Sequence, residues 1–376
     1  MPIASRITLA ALAGAMLAAC GSDSGPTAPA RTLVAVGRFE RGATLRLVAR
    51  DGPPGSDSTV SNVTITPANA GAVTGTTIKL LQAGAATIGA TASDGRALMT
   101  TITVVAPPVV FFDAVVAGNR DIYSIGIDGG ELKRWTTALG EESHPSVAGG
   151  LLVFSSARDG NGELYSLTTA AGGTEKRLTT TTANEIQPTL STAGTSLTYV
   201  SDAGGLTRVY VAAATLTNPA RLSAASFGFG GSIEYQPTWS PTGDRIALMS
   251  TANGRSNLFI SSSTPGSTPA PVTGSGTQAT DVEPTWSPDG NWIAFASTRA
   301  GGAQLFLFDV RTSAIKQLAQ ATGTSGQPGW LPDGRLLFTV FGAETTLWYL
   351  DPADTSPPVQ IPTATTNPAH PTGARP

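Results

Sequence analysis

Residues Glu283-Pro284-Thr285-Trp286-Ser287-Pro288-Asp289-Gly290 open a unit that decides the fold. It continues through Trp292-Ile293-Ala294-Phe295-Ala296-Ser297 and Gln304-Leu305-Phe306-Leu307-Phe308 to Lys316-Gln317-Leu318. Each piece has the length and the apolar, aromatic content of a strand, and Pro-Asp-Gly between the first two is a tight-turn signal. The unit before it reads Gln236-Pro237-Thr238-Trp239-Ser240-Pro241-Thr242-Gly243, then Arg245-Ile246-Ala247-Leu248-Met249-Ser250, then Asn257-Leu258-Phe259-Ile260. The unit after it has Gln327-Pro328-Gly329-Trp330-Leu331-Pro332-Asp333-Gly334, Leu336-Leu337-Phe338 and Leu347-Trp348-Tyr349-Leu350. Weaker copies begin at His144-Pro145-Ser146-Val147 and Gln187-Pro188-Thr189-Leu190. The leading prolines (145, 188, 237, 284, 328 and 371) stand 43 to 49 residues apart. Four strand-sized pieces repeated at that period predict a β-propeller.

The two ends set the count. Residues 109–136 supply three strands, Val109–Phe112, Ile122–Ile127 and Leu132–Trp135, without a proline-led first strand. Asn367–Pro376 supplies a proline-led start with nothing after it. Together they complete one unit, which predicts six blades closed by the C-terminal strand and leaves no exposed sheet edge at the junction.

Residues 109–376 resemble the TolB-type propeller built from PD40, or WD40-like, repeats, on the strength of the Pro-x-Trp-Ser-Pro-Asp-Gly core. The chain has no Trp-Asp dipeptide, unlike true WD40 repeats, and its Gly-Gly pairs hold no fixed repeat position, unlike Kelch. The resemblance implies a non-catalytic platform for protein interaction. TolB itself carries an α/β domain ahead of its propeller, so the propeller family is implied here and TolB's own role is not.

Ahead of the propeller, residues 32–106 hold six apolar stretches: Thr32–Val36, Ala43–Val48, Val60–Ile65, Thr77–Leu81, Ala86–Ala90 and Thr100–Val105. Gly-Pro-Pro-Gly at 52–55, Pro67–Gly71 and Ser93-Asp94-Gly95 punctuate them, which predicts a small β-sandwich. The stretches Val63–Pro67, Ala83–Thr91 and Thr101–Val104 resemble bacterial Ig-like (group 2) domains, which implies a spacer or adhesion module. Ala106-Pro107-Pro108 marks the boundary. The expected architecture is therefore all-β, an Ig-like sandwich followed by a six-bladed propeller.

At the start, Arg6 precedes an apolar run from Ile7 to Ala19, 13 residues long and too short for a bilayer core of about 30 Å. The run ends in Leu17-Ala18-Ala19-Cys20, which resembles the lipobox of bacterial lipoproteins. That implies a signal peptide over 1–19, lipidation of Cys20 and membrane anchoring by more than one acyl chain. Residues 20–31 are small and polar and read as a flexible tether. Gly21 after the cysteine, in place of Asp, favours delivery to the outer membrane.

Composition removes several classes of function. Charged residues are 13% of the chain against about 25% in ordinary domains, which excludes coiled coils. A net charge of −3 gives no basic surface for nucleic acid. One cysteine excludes an internal disulfide and a cysteine-based zinc site. No Gly-x-Ser-x-Gly elbow, His-Glu-x-x-His or phosphate loop is present, so neither enzymatic activity nor a cofactor is expected.

Candidate binding residues come from comparing one position across the repeats. Immediately before the prolines stand His144, Gln187, Gln236, Glu283, Gln327 and His370, all polar. Two residues further back stand Glu142, Glu185, Glu234 and Asp281. With the proline-led strand innermost, these residues ring one mouth of the central channel. The carboxylates would then favour an envelope protein or peptide, a basic one in particular. Two alternatives remain. A carbohydrate-binding or glycan-processing propeller would need exposed aromatic rings at the mouth. A metal-dependent hydrolase would use His144 and His370, which ring closure would bring together.

Overall fold

The structure is a computed structural model and describes residues 31–50, 56–228, 231–273, 278–318 and 323–374. The signal segment, Cys20 and all of the tether except Arg31 lie outside them. The chain divides into two compact units, Met1–Pro107 and Pro108–Pro376. Apart from one 3-10 turn at Ala68–Ala70, every described element is a strand. No described helix is long and apolar enough to cross a membrane.

The N-terminal unit has two antiparallel sheets. One orders strands 32–36, 44–50, 77–80 and 71–74, with 57–58 also on 44–50; the other orders 60–66, 84–92 and 97–104. Alternation places the core: Ala86, Ile88, Ala90 and Ala92 point inward from one strand. They pack in one cluster with Leu45, Leu47, Ile78 and Leu80 of the facing sheet. The pairs 57–58 and 71–74 have no apolar stretch of their own, and composition does not reveal them.

Among the described residues the C-terminal unit forms six four-stranded antiparallel sheets. The first joins residues 109–116, 119–126 and 133–134 to the C-terminal strand Thr366–Gly373. The second to sixth begin with Glu142–Ala148, Glu185–Leu190, Glu234–Trp239, Asp281–Trp286 and Thr324–Trp330. These proline-led strands touch one another in cyclic order, and Thr366–Gly373 lies between Thr324–Trp330 and Glu142–Ala148.

Six apolar clusters fill the six junctions between neighbouring sheets. Ala148, Val153 and Leu164 meet Leu190 and Tyr199 between the second and third. Val200 and Val209 meet Trp239 and Ile246 in the next junction. Val110, Phe112 and Ile125 of the first sheet meet Leu331, Leu337 and Leu347 of the sixth, which closes the circle. Stability therefore comes from between sheets, and no sheet can bury its faces alone.

The closing strand approaches its neighbour very closely. Gly329 stands where the five other units carry Ser or Thr, and a Cβ there would lie 2.0 Å from the Pro371 carbonyl oxygen. Gly329→Ala is expected to lower unfolding stability by about 1–3 kcal/mol through overpacking. Gly204→Ala, where a Cβ meets nothing within 4 Å, should stay within about 0.5 kcal/mol of wild type. Urea titration of both variants checks this, and equal stability would show that the closing strand yields freely.

Candidate functional site

Every proline-led strand carries the same irregularity. Proline has no N–H to give the ladder, and the register shifts around it, as between Ile186 and Thr189 or Val282 and Thr285. The residue before each proline takes a left-handed φ of 48–57°. Only glycine adopts that conformation freely, so each position carries strain of about 1 kcal/mol or more.

A chain of hydrogen bonds offsets it. Gln187 Oε1 accepts from the Gln236 amide (2.9 Å), and Gln236 Oε1 from the Glu283 amide (2.9 Å). Glu283 Oε2 accepts from the Gln327 amide (2.6 Å), and Gln327 Oε1 from the His370 amide (3.1 Å). Each side chain thus holds the strained backbone of the next sheet. A histidine has no oxygen to offer. Where His370 and His144 occupy the position, the acceptor comes from the second strand of the same sheet. Asp113 Oδ2 takes the His144 amide (3.4 Å), and Ser155 Oγ takes that of Gln187 (3.0 Å). Asp113 and Ser155 pair with the residues just before the two histidines; Val200, Met249, Ala296 and Thr339 hold that place in the other four sheets.

The structure brings His144 and His370 into ring contact, with centroids 3.8 Å apart. His370 Nδ1 lies 2.6 Å from Asp113 Oδ2, and Arg120 Nη1 lies 2.6 Å from Asp113 Oδ1. Burial raises the pKa of Asp113, but His370, His144 and Arg120 outweigh it and hold the carboxyl below its usual range. Burial, the neighbouring His370 and Arg120 push His144 down to about 3, against the pull of Asp113. Asp113 escaped the repeat comparison. Its signal was there to find, as a single charge inside the apolar run Val109–Val116. Among the described residues no group of three His, Cys, Asp or Glu is placed to hold a metal ion.

The four carboxylates expected at the mouth are turned inward instead. Glu142, Glu185, Glu234 and Asp281 are 0–3% exposed. Glu142 accepts from Ser156 (2.9 Å) and Arg158 (3.2 Å), Glu185 from Thr181 and Ser201, Glu234 from Ser223 and the Val209 amide, and Asp281 from Arg299 (2.7 Å). Each ties its inner strand to a neighbouring strand or loop, because a carboxylate left unpaired in so dry a place would be costly. They therefore offer no negative rim to a ligand. The six residues before the prolines are half-buried and pass their side chains between sheets.

A recess of about 160 Å³ lies at the opposite end of the proline-led strands. Trp239, Trp286, Trp330, Pro241, Pro288, Pro332, Ser287 and Thr192 line it, from four consecutive sheets. Neighbours in a ring of six share one recess in this way only around the axis. The tryptophans are 3%, 1% and 6% exposed. Trp239 Nε1 donates to the Thr189 carbonyl and Trp330 Nε1 to the Thr285 carbonyl, each crossing to the preceding sheet. They are packing residues with an edge on the recess, and not open platforms for a sugar.

Residues 225–372 match the family model of the TolB beta propeller domain. TolB from Acinetobacter baumannii superposes with a TM-score of 0.63 at 14% identity, covering 79% of this chain and 81% of that one. A protein described as a TolB from Agrobacterium tumefaciens superposes at 0.54 and 17% identity, over 71% of this chain and 90% of that one. Hydrazine synthase from Kuenenia stuttgartiensis gives 0.57 at 12% identity, over 71% and 46%. No curated protein matches the sequence. The C-terminal unit has the β-propeller fold of these structures.

The buried carboxylates make a pH prediction. Burial pushes Glu142 up to about 7, against the pull of Ser156 and Arg158. The folded chain then holds a proton there that the unfolded chain releases near 4.5, so this contribution to stability is present at pH 4.5 and lost as pH rises through 7. Glu142→Gln does not titrate. Its stability relative to wild type should rise by about 2 kcal/mol between pH 5 and pH 7.5 in urea unfolding. A constant difference would show that Arg158 keeps the carboxylate ionised.

Proposed function

We propose that this chain is an exported envelope lipoprotein, anchored through Cys20, whose six-bladed propeller is a non-catalytic platform for a protein partner. The Ig-like unit ahead of it acts as a spacer. The observation that carries the reading is the axial recess lined by Trp239, Trp286, Trp330, Pro241, Pro288 and Pro332. An apolar recess shared by four sheets sits where one projecting segment reaches several repeats at once. At about 160 Å³ it is well below the roughly 300–1,000 Å³ of sites for drug-sized ligands, and it suits one apolar side chain of a larger partner. Burial of such an anchor in a rigid aromatic pocket is the usual source of affinity at a protein interface. A preference for a basic partner loses its ground, because the carboxylates that suggested it are already engaged.

The test is capture from detergent-solubilised envelope with the full-length lipoprotein as bait and mass spectrometry as the readout. Ser287→Arg and Pro288→Glu place charge at the recess without removing a tryptophan. A partner held by wild type should be reduced at least tenfold by either variant and retained by Asp281→Asn. Equal capture by all would rule out the recess as the docking point.

A further inference from the structure

The two histidines of the chain meet at one place, the junction where the C-terminal strand closes the ring. His370 lies on that closing strand, Asp113 on the strand it pairs with, and His144 on the inner strand of the next sheet. The hydrogen bonds around His370 fix the roles of its two ring nitrogens. Gln327 Oε1 accepts the His370 amide, so Gln327 Nε2, 3.0 Å from His370 Nε2, is a donor and that ring nitrogen is its acceptor. His370 Nδ1 then carries the hydrogen given to Asp113. A proton on Nε2 would set donor against donor, and turning the Gln327 amide would only move the conflict to the His370 backbone.

His144 is the less tolerant of the two. Its Nδ1 has the Ser143 hydroxyl at 3.0 Å, and its face lies against His370. Asp113, the carboxylate in contact with the pair, is already engaged by Arg120 and by His370. Glu283, which acts on His370 from across the ring, gives its Oε2 to the Gln327 amide. A charge on His144 therefore meets the cation of Arg120, while Asp113 already serves Arg120 and His370.

We propose that the stacked His144–His370 pair is a proton-operated latch on ring closure: the ring is closed while His144 is uncharged, and a proton reaches His144 only when the strand Thr366–Gly373 lets go. The strong lowering at His144 agrees with this geometry. The sign follows from linkage. The open form binds the proton near the ordinary value of about 6.5 and the closed form does not, so closure is favoured above that pH and weakens below it, about tenfold per pH unit.

The experiment is hydrogen exchange of the full chain, followed at the amides of Thr366–Gly373 and corrected for intrinsic rates. Opening in wild type should increase about fivefold from pH 6.5 to pH 5.5 and further at pH 5. In His144→Gln it should not, because glutamine is the residue that Gln187, Gln236 and Gln327 show to fit this position. Absence of the wild-type acceleration, or its persistence in His144→Gln, overturns the latch. A second readout needs no variant at position 144. In protein labelled at its histidine rings, NMR should show the His144 ring neutral at pH 5 in the closed form. Titration of that ring near 6.5 with the closing strand still protected overturns it as well.

Discussion

A side chain that hydrogen-bonds the backbone of the next sheet, at a residue forced into a left-handed conformation before a proline, is the interaction on which the propeller depends. The proline interrupts the inner strand's ladder, the bulge turns the preceding side chain sideways, and the neighbouring strand supplies the amide it needs. Strain at one sheet is thus balanced by a bond from another. The inner strands are fixed relative to each other before any apolar cluster between the sheets is counted.

The two histidines mark where this scheme changes chemistry. Imidazole cannot replace the amide oxygen of glutamine, so the second strand of each histidine-bearing sheet provides Asp113 or Ser155. The result is a junction held by titratable groups at the one seam where the ends of the propeller sequence meet. Elsewhere the seams are covalently continuous through the loops between sheets. A reversible weakness has consequences at the first and last strands that it would not have in the middle of the chain.

The buried carboxylates and the axial recess divide the two ends of the inner strands between them. At one end, acids are consumed by serine, threonine and arginine partners. At the other, tryptophan and proline remain at the axis with their polar bonds made mostly to the preceding sheet. The end that looked chemically interesting in sequence is thus the structural one. The end that read as packing holds the recess.

Much of the architecture was legible in the sequence because a propeller repeats one small unit. The proline period, the Pro-Asp-Gly turn and the incomplete units at 109–136 and 367–376 are local signals, and local signals survive without a structure. Which strand of a unit would face the axis, and which residues at one repeat position would meet solvent, was not local. Glu142, Glu185, Glu234 and Asp281 occupy a regular position whether they point at a ligand or at Arg158, Ser201, Ser223 and Arg299; only the tertiary arrangement decides. The contact of His144 with His370 joins residues 226 positions apart, and Asp113 reaches His370 across 257. The sequence by itself determined the repeat, its strands and its turns, because these follow from neighbours along the chain. Tertiary structure alone decided burial, partners and protonation, because these follow from neighbours across the ring.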